Sequence, residues 1–200
     1  VCFSISAGMS TSGNVMRLAA EELGASDRIK VIDSANLSTG IGLLVVEAAI
    51  MAKNNRTASQ IVSEIERLKP NVRASFVVDT LTYLYRGGRC NAVAAMAGGV
   101  LKLHPRIVVE DGAMNASKKY RGKIASVVMN YVKDMEKDLK KARPERVFIT
   151  HSGCEQETVE KVRAYLKELD IFDEILETRA GGVVSSHCGP GTLGVLYIAK

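Results

Sequence analysis

Apolar residues fall into two alternating rhythms along this chain. "VCFSIS" is a short apolar run of strand type, and the serine- and glycine-rich "GMSTSGN" follows it as a loop. "VMRLAAEEL" has helical spacing and stops at Gly24, a natural C-terminal stop. "IKVIDS" returns to strand pattern, and "IGLLVVEAAIMAKNN" reads as a mostly apolar helix. "TASQIVSEIERLKP" opens with a Thr-x-x-Gln capping box and ends before Pro70. Strand, helix, strand, helix is the signature of a parallel sheet covered on both faces. Residues 1–70 are therefore expected to form a parallel α/β/α domain.

The pattern changes after Pro70. "ASFVVD" reads as a strand, "TLTYLYRGG" as a short helix closed by glycine, and "AVAAMAGGVLKL" as a small-residue helix. "RIVVEDGAMNASKKY" predicts a hairpin turning at Asp111-Gly112. "IASVVMNYVKDMEKDLKKA" predicts one long amphipathic helix, "RVFITHSG" a strand, and "QETVEKVRAYLKEL" a further helix. "FDEILETRAGG" and "TLGVLYIA" complete the set as strands, with "SSHCGPG" as the loop between them. Residues 71–200 are expected to form a second, two-layer α/β domain with a mixed sheet and helices largely on one face.

Composition narrows the function. The chain has 200 residues, enough for one large domain or two small ones, with 46% apolar and 24% charged residues as in ordinary soluble globular proteins. The net charge of +5 is modest, and the densest charged stretch, "KDMEKDLKKARPER", mixes acids with bases as a solvated helix face does. Aromatics are few and tryptophan is absent, which weighs against stacking on nucleic acid. No apolar run reaches membrane-spanning length, since "IGLLVVEAAIMA" is short and carries Glu47. Cys2, Cys90, Cys154 and Cys188 are scattered without a CxxC pair, which fits a reducing cytoplasm better than a disulfide scaffold. The chain opens on a strand already under way, without methionine or a signal peptide, so upstream sequence is expected to lie outside it.

Four groups of residues could carry chemistry. His151, Cys154, His187 and Cys188 supply two nitrogens and two sulfurs, the donor set of a structural zinc site. Read as extended chain, the adjacent His187 and Cys188 would point to opposite faces, which weighs against one shared ion. Cys188 beside His187 also invites a nucleophile and base, but sequence neighbours rarely meet that geometry. "SAGMSTSGN" follows a strand and opens a helix, a setting that suits a small anion. It lacks the G-x-G-x-x-G or P-loop pattern, and Ser10, Ser12 or Asn14 could equally act as a helix cap. "YRGGRC" and "KKYRGK" put arginine beside glycine; each alone reads as an ordinary surface cation, and together with the two glycine-rich loops they suggest a cleft that receives an anionic head group.

These pieces occur in an order that resembles the DegV family. "SISAGMSTSGN" resembles that family's I-S-S-x-L-S-G-T-Y segment, and "VIDSANLSTGIGLLVVEAA" its V-x-D-S-x-x-x-S-x-G-x-G block. "FVVDTLTYLYRGGR" is similar to F-x-V-D-x-L-x-Y-L-x-x-G-G-R-I, "KKYRGK" to the K-x-R element, and "SSHCGPGTLGVLY" to T-H-x-G-P-G-x-x-G. The resemblance runs over essentially the whole chain.

It implies a DegV-like fold of two α/β domains holding a long-chain fatty acid between them as bound ligand, with no cofactor. In the members called FakB, the protein presents the acid to a separate fatty acid kinase, whose catalytic subunit phosphorylates the carboxylate for phospholipid synthesis. The binding protein itself does no chemistry. Carried over by position, His187 is the histidine that reaches the carboxylate, and Ser6, Ser10 and Arg89 join the ligand-binding set. Arg121 is the arginine of the kinase encounter. Three departures stand out: Ala7 replaces a serine, "STSGN" replaces "SGTYN", and His104-Pro105 replaces Lys-Pro. The family's N-terminal portion, with a threonine expected at the carboxylate, is not in this chain. A fatty acid needs an apolar tunnel with polar donors at one end, because a buried carboxylate must be paired or it takes up a proton. The glycines of "HCGPGTLG" would let backbone approach the head group, with Pro190 stiffening the turn. The competing readings are an acyl hydrolase or transferase using Cys188 and His187, and a phosphate-ligand binder using the serine-rich loop.

Overall fold

The structure is a computed structural model that describes residues 1–88 and 103–200. The helix expected over "AVAAMAGGVLKL" and the site residue Arg89 lie outside the described residues, except that Leu103 opens a strand instead. The chain divides into two compact units. One is Val1–Val72 with Asp111–Ala113, the other Arg73–Glu110 with Met114–Lys200.

In the first unit, strands β1 (Cys2–Ser4) and β2 (Val31–Asp33) pair in parallel, with Phe3 opposite Ile32 and Ser4 opposite Asp33. Between them runs α1 (Ser12–Glu22). It ends in a Schellman arrangement: the Ala25 N–H donates to Ala20 O at 2.8 Å and the Gly24 N–H to Glu21 O at 2.9 Å, with Gly24 at φ +58°. Helix α2 (Thr39–Lys53) buries Leu43 and Leu44 completely. Helix α3 (Ala58–Leu68) has the expected capping box, with Thr57 and Gln60 bonding each other's backbone N–H at 3.3 and 3.0 Å. Ile61, Ile65 and Leu68 recur on one face of α3 and are all buried, each worth about 1.5–3 kcal/mol over exposure. A 3₁₀ turn over Lys69–Asn71, holding Pro70, ends the helix.

The second unit is a six-stranded sheet in the order β5-β4-β3-β8-β6-β7. Its strands are β3 (Val72–Val77), β4 (Leu103–Glu110), β5 (Ala113–Arg121), β6 (Ala142–Ser152), β7 (Glu174–Arg179) and β8 (Thr192–Ala199). β3 runs antiparallel to β4, and β6 antiparallel to β8 but parallel to β7, so the sheet is mixed. The β4–β5 hairpin turns at Asp111 and Gly112, whose φ values of +50° and +74° are what a two-residue hairpin turn demands. Helices α5 (Ile124–Asp134) and α7 (Gln156–Glu168) bury Val127, Val128, Val159 and Val162 against Val147, Leu193 and Val195 of the sheet. Tyr131 pins α5 to the strands. Its hydroxyl donates to Ser75 O at 2.7 Å and accepts the Val195 N–H at 3.0 Å, so a fully buried phenol is satisfied.

Three elements depart from the sequence pattern. The long helix expected over 124–142 breaks at Met135, giving α5 and a short α6 (Glu136–Leu139). Met135 donates its N–H to Val132, one residue short of an α-helical bond, and its sulfur meets the Ser75 hydroxyl at 3.7 Å. Packing of that side chain sets the turn while the apolar rhythm runs on undisturbed. Between α3 and β3, a turn of 3₁₀ helix extends past the expected stop at Pro70. The third departure matters most for function. His187 and Cys188 lie at the end of a helix, α8 (Gly182–Cys188), and not on extended chain. Gly181, Gly182 and the run of valines and serines are weak helix formers, so the local signal is faint. A short helix, α4 (Thr82–Arg86), stands where "TLTYLYRGG" predicts one. Among the described residues no helix is long and apolar enough to cross a membrane.

Candidate functional site

The serine loop of the first unit connects β1 to α1 and is organised by Ser6. That residue is buried, its hydroxyl donates to Gly112 O at 2.5 Å, and it accepts the Gly8 N–H at 3.1 Å. Its backbone N–H donates to Asn36 O at 2.9 Å, and its carbonyl accepts the N–H groups of Met9 and Ser10. The single Ser6 proton is therefore directed at Gly112. Ser10 and Ser12 share a hydrogen bond of 2.7 Å between their hydroxyls, and Ser10 also accepts the Ser12 N–H at 3.2 Å. Two hydroxyls carry two protons and their mutual bond uses one, so the pair retains one proton to donate. At α1 Thr11 holds the N-cap position without a side-chain bond, and Ser10, one residue earlier, takes the N–H of the helix's first residue, Ser12.

The carboxylate of Asp33 ties this loop to the one after β2, accepting the Ala35 N–H at 2.8 Å and the Ala7 N–H at 3.2 Å. In that second loop Ala35 and Ser38 take φ values of +51° and +49°, positions that cost non-glycine residues about 1–3 kcal/mol each. A cleft of about 290 Å³ also lies in this unit, between α1, β2 and α3. Its lining mixes the charged Arg17, Glu21, Lys30 and Glu66 with the apolar Ile29, Ile32 and Val62.

In the second unit, His187 sits where α8 packs on α4. A Cβ at Gly87 would lie 1.8 Å from the Nδ1 atom of His187, and a Cβ at Gly189 would lie 2.2 Å from the ring of Tyr83. The Nδ1 of His187 is buried and has no hydrogen-bond partner among the described residues. Cys188 is buried too, and burial pushes its thiol up to about 11. Adjacent residues on a helix diverge by about 100°, so His187 and Cys188 do not make a nucleophile and base.

The other histidine–cysteine pair is structural. His151 accepts the Cys154 N–H on Nδ1 at 3.3 Å and thereby donates from Nε2 to Glu177 at 3.2 Å. Partial burial works against ionisation of Glu177, yet hydrogen bonds from His151 and Arg163 hold its carboxyl below the ordinary value. The Cys154 thiol is pushed up to about 11, first by burial and then by the charge of Glu155. Both nitrogens of His151 are thus occupied. Among the described residues no group of three or more histidine, cysteine or acidic side chains could hold a metal ion.

Arg121 ends β5 and is exposed. Beside it, the buried His104 meets Gly122 O from Nε2 at 2.9 Å and lies 3.3 Å from the Asp79 carboxylate through Nδ1. The residue that departs from the family's lysine therefore anchors the backbone next to Arg121. The structure brings Ser6 and Ser10 into one loop. It adds three residues that the sequence reading missed as site components: Gly87, Tyr83 and Gly112. Gly87 and Tyr83 were visible as part of the "YLYRGG" motif, whereas nothing local marks Gly112 as the acceptor for Ser6.

A family model described as an uncharacterised protein of the DegV family matches residues 1–200. The chain belongs to the DegV family. A DegV domain-containing protein of Caldanaerobacter subterraneus is 32% identical over 183 residues, which cover 90% of this chain and 64% of the relative. This chain thus spans just under two thirds of that DegV relative. A DegV family protein from Thermus thermophilus, whose solved structure is described by its fatty acid binding, is 27% identical with a TM-score of 0.87. The match covers 98% of this chain and 69% of that one. DegV of Bacillus subtilis, described as a fatty acid binding protein, is 28% identical with a TM-score of 0.79, over 99% of this chain and 70% of that one. The parallel sheet of the first unit and the mixed six-stranded sheet of the second are those of the DegV fold.

Proposed function

We propose that this protein binds a long-chain fatty acid and presents its carboxylate to a separate fatty acid kinase, without doing chemistry of its own. The observation that carries the reading is the imidazole of His187, held by α4 with one ring nitrogen buried, in a chain akin to DegV proteins described as fatty acid binding. On this reading His187, Arg89 and the hydroxyls of Ser6 and Ser10 receive the carboxylate. Ser10 donates the proton left over from its pair with Ser12. Ser6 donates by exchanging its bond to Gly112 for one to the ligand. Arg121 meets the kinase. Burying a sixteen-carbon chain yields on the order of 10 kcal/mol before ordering costs, ample for stable carriage. The hydrolase reading loses support from a Cys188 thiol that burial keeps protonated.

The test is native mass spectrometry of the protein purified from cells, followed by a coupled assay with a fatty acid kinase catalytic subunit, ATP and palmitate. A co-purified long-chain acid, and acyl-phosphate formed only when the protein is present, are the expected results. Ligand-free protein that takes up inorganic phosphate but not palmitate would favour the phosphate reading instead.

A further inference from the structure

We propose that Gly87 and Tyr83 are positioning residues: packed reciprocally against His187 and Gly189, they fix the His187 imidazole as the Nε2–H tautomer, with Nε2 turned to the ligand. The proposal rests on the reading of His187 as a carboxylate donor and goes beyond it. Each of the two short helices ends in a glycine, Gly87 after α4 and Gly189 after α8. Each glycine receives a ring from the other helix. Tyr83 and Gly87 are four residues apart and share one face of α4, so one helix offers a ring and then a hole. His187 and Gly189 answer with a ring and a hole on either side of the buried Cys188.

Backbone geometry does not explain Gly87. Its φ of −76° is open to every residue, unlike the φ of +68° at the adjacent Gly88. What excludes a side chain is the imidazole itself, since a Cβ would lie 1.8 Å from Nδ1 of His187. The ring thereby meets the α4 backbone with its Nδ1 edge. Among the described residues Nδ1 finds no acceptor there. An orphaned N–H is rarer in proteins than an orphaned lone pair, so the proton resides on Nε2. A neutral ring that donates from Nε2 matches a carboxylate, which only accepts.

The test reads palmitate affinity and the histidine ¹⁵N spectrum together. In the wild type, His187 should show an unprotonated Nδ1 and a protonated Nε2. Gly87→Ala should weaken palmitate binding about ten- to a hundredfold, the worth of one hydrogen bond to a charged group, and shift the His187 resonances. In a His187→Ala background the same change should cost less than about twofold, because the space is then empty. Tyr83→Ala should weaken binding, and Tyr83→Phe, which keeps the ring, should restore it. An Nδ1–H tautomer, undiminished affinity in Gly87→Ala, or an equal loss in the His187→Ala background would each overturn the proposal. Wild-type protein that shows the Nε2–H spectrum but binds no palmitate would sink the fatty-acid reading and support the positioning.

Discussion

The hydroxyl of Ser6 donates to the carbonyl of Gly112, 2.5 Å away in space and 106 positions away in sequence. Both residues belong to the first compact unit, although β4 and β5 from Met114 onward belong to the second. The hairpin turn therefore completes the serine loop. Gly112 has φ +74°, and a Cβ there would lie 2.7 Å from the Ser6 oxygen. Gly112→Ala should lower stability by about 1–3 kcal/mol, read from urea denaturation. A change below 0.5 kcal/mol would mean that the turn relaxes freely.

Ser10 and Ser6 should respond differently to removal of the hydroxyl. Ser10→Ala takes away a donor that is partly exposed and should weaken palmitate binding about tenfold with little loss of stability. Ser6→Ala leaves a buried carbonyl and a backbone N–H without their partner and should cost about 1–3 kcal/mol of stability as well. Paired calorimetry and thermal denaturation on the two variants separates the roles.

Thiol reactivity should be uneven. Burial pushes Cys154 and Cys188 up to about 11, so at pH 8 only about one in a thousand of either is thiolate. Cys2 is exposed. Iodoacetamide at pH 8, followed by peptide mapping, should label Cys2 long before Cys154 or Cys188. Rapid labelling of Cys188 would revive the nucleophile reading.

Tyr131→Phe should destabilise the protein by about 1–3 kcal/mol. The change preserves the ring in the core but leaves the Val195 N–H and the Ser75 carbonyl unpaired in a fully buried site. Guanidinium denaturation at neutral pH gives the number directly.

Alkaline conditions should weaken the fold above about pH 10. Burial, aided by Asp138, pushes Tyr197 up to about 12, and burial with a hydrogen bond to Glu136 does the same for Tyr165. A tyrosine raised above its unfolded value near 10 holds its proton more tightly in the folded state. Its contribution is therefore whole below about pH 10 and falls away as pH climbs toward 12. Melting temperature followed from pH 8 to 12 should stay level at first and then drop.

Much of the fold is legible because binary pattern and punctuation agree. The Thr57–Gln60 box, the stop at Gly24 and the Asp111-Gly112 turn are local statements, and the structure keeps them all. What stays hidden is set by distant partners. Met135 breaks a helix because Ser75 gives its sulfur a seat, and α8 forms from poor helix formers whose order comes from Tyr83 and Gly87. The candidate site divides in the same way. Ser6, Ser10 and His187 stand out by type and motif, but the direction of each proton depends on residues far along the chain.

The backbone passes between the two units at Val72–Arg73, at Glu110–Asp111 and again at Ala113–Met114. A cut in the first of these joints is the obvious way to express the amino-terminal half alone. Such a fragment would carry Ser6 with nothing to receive its hydrogen, and its loop would be free to collapse. The three residues at the tip of the hairpin are a graft, and a recombinant half-molecule would have to bring them along.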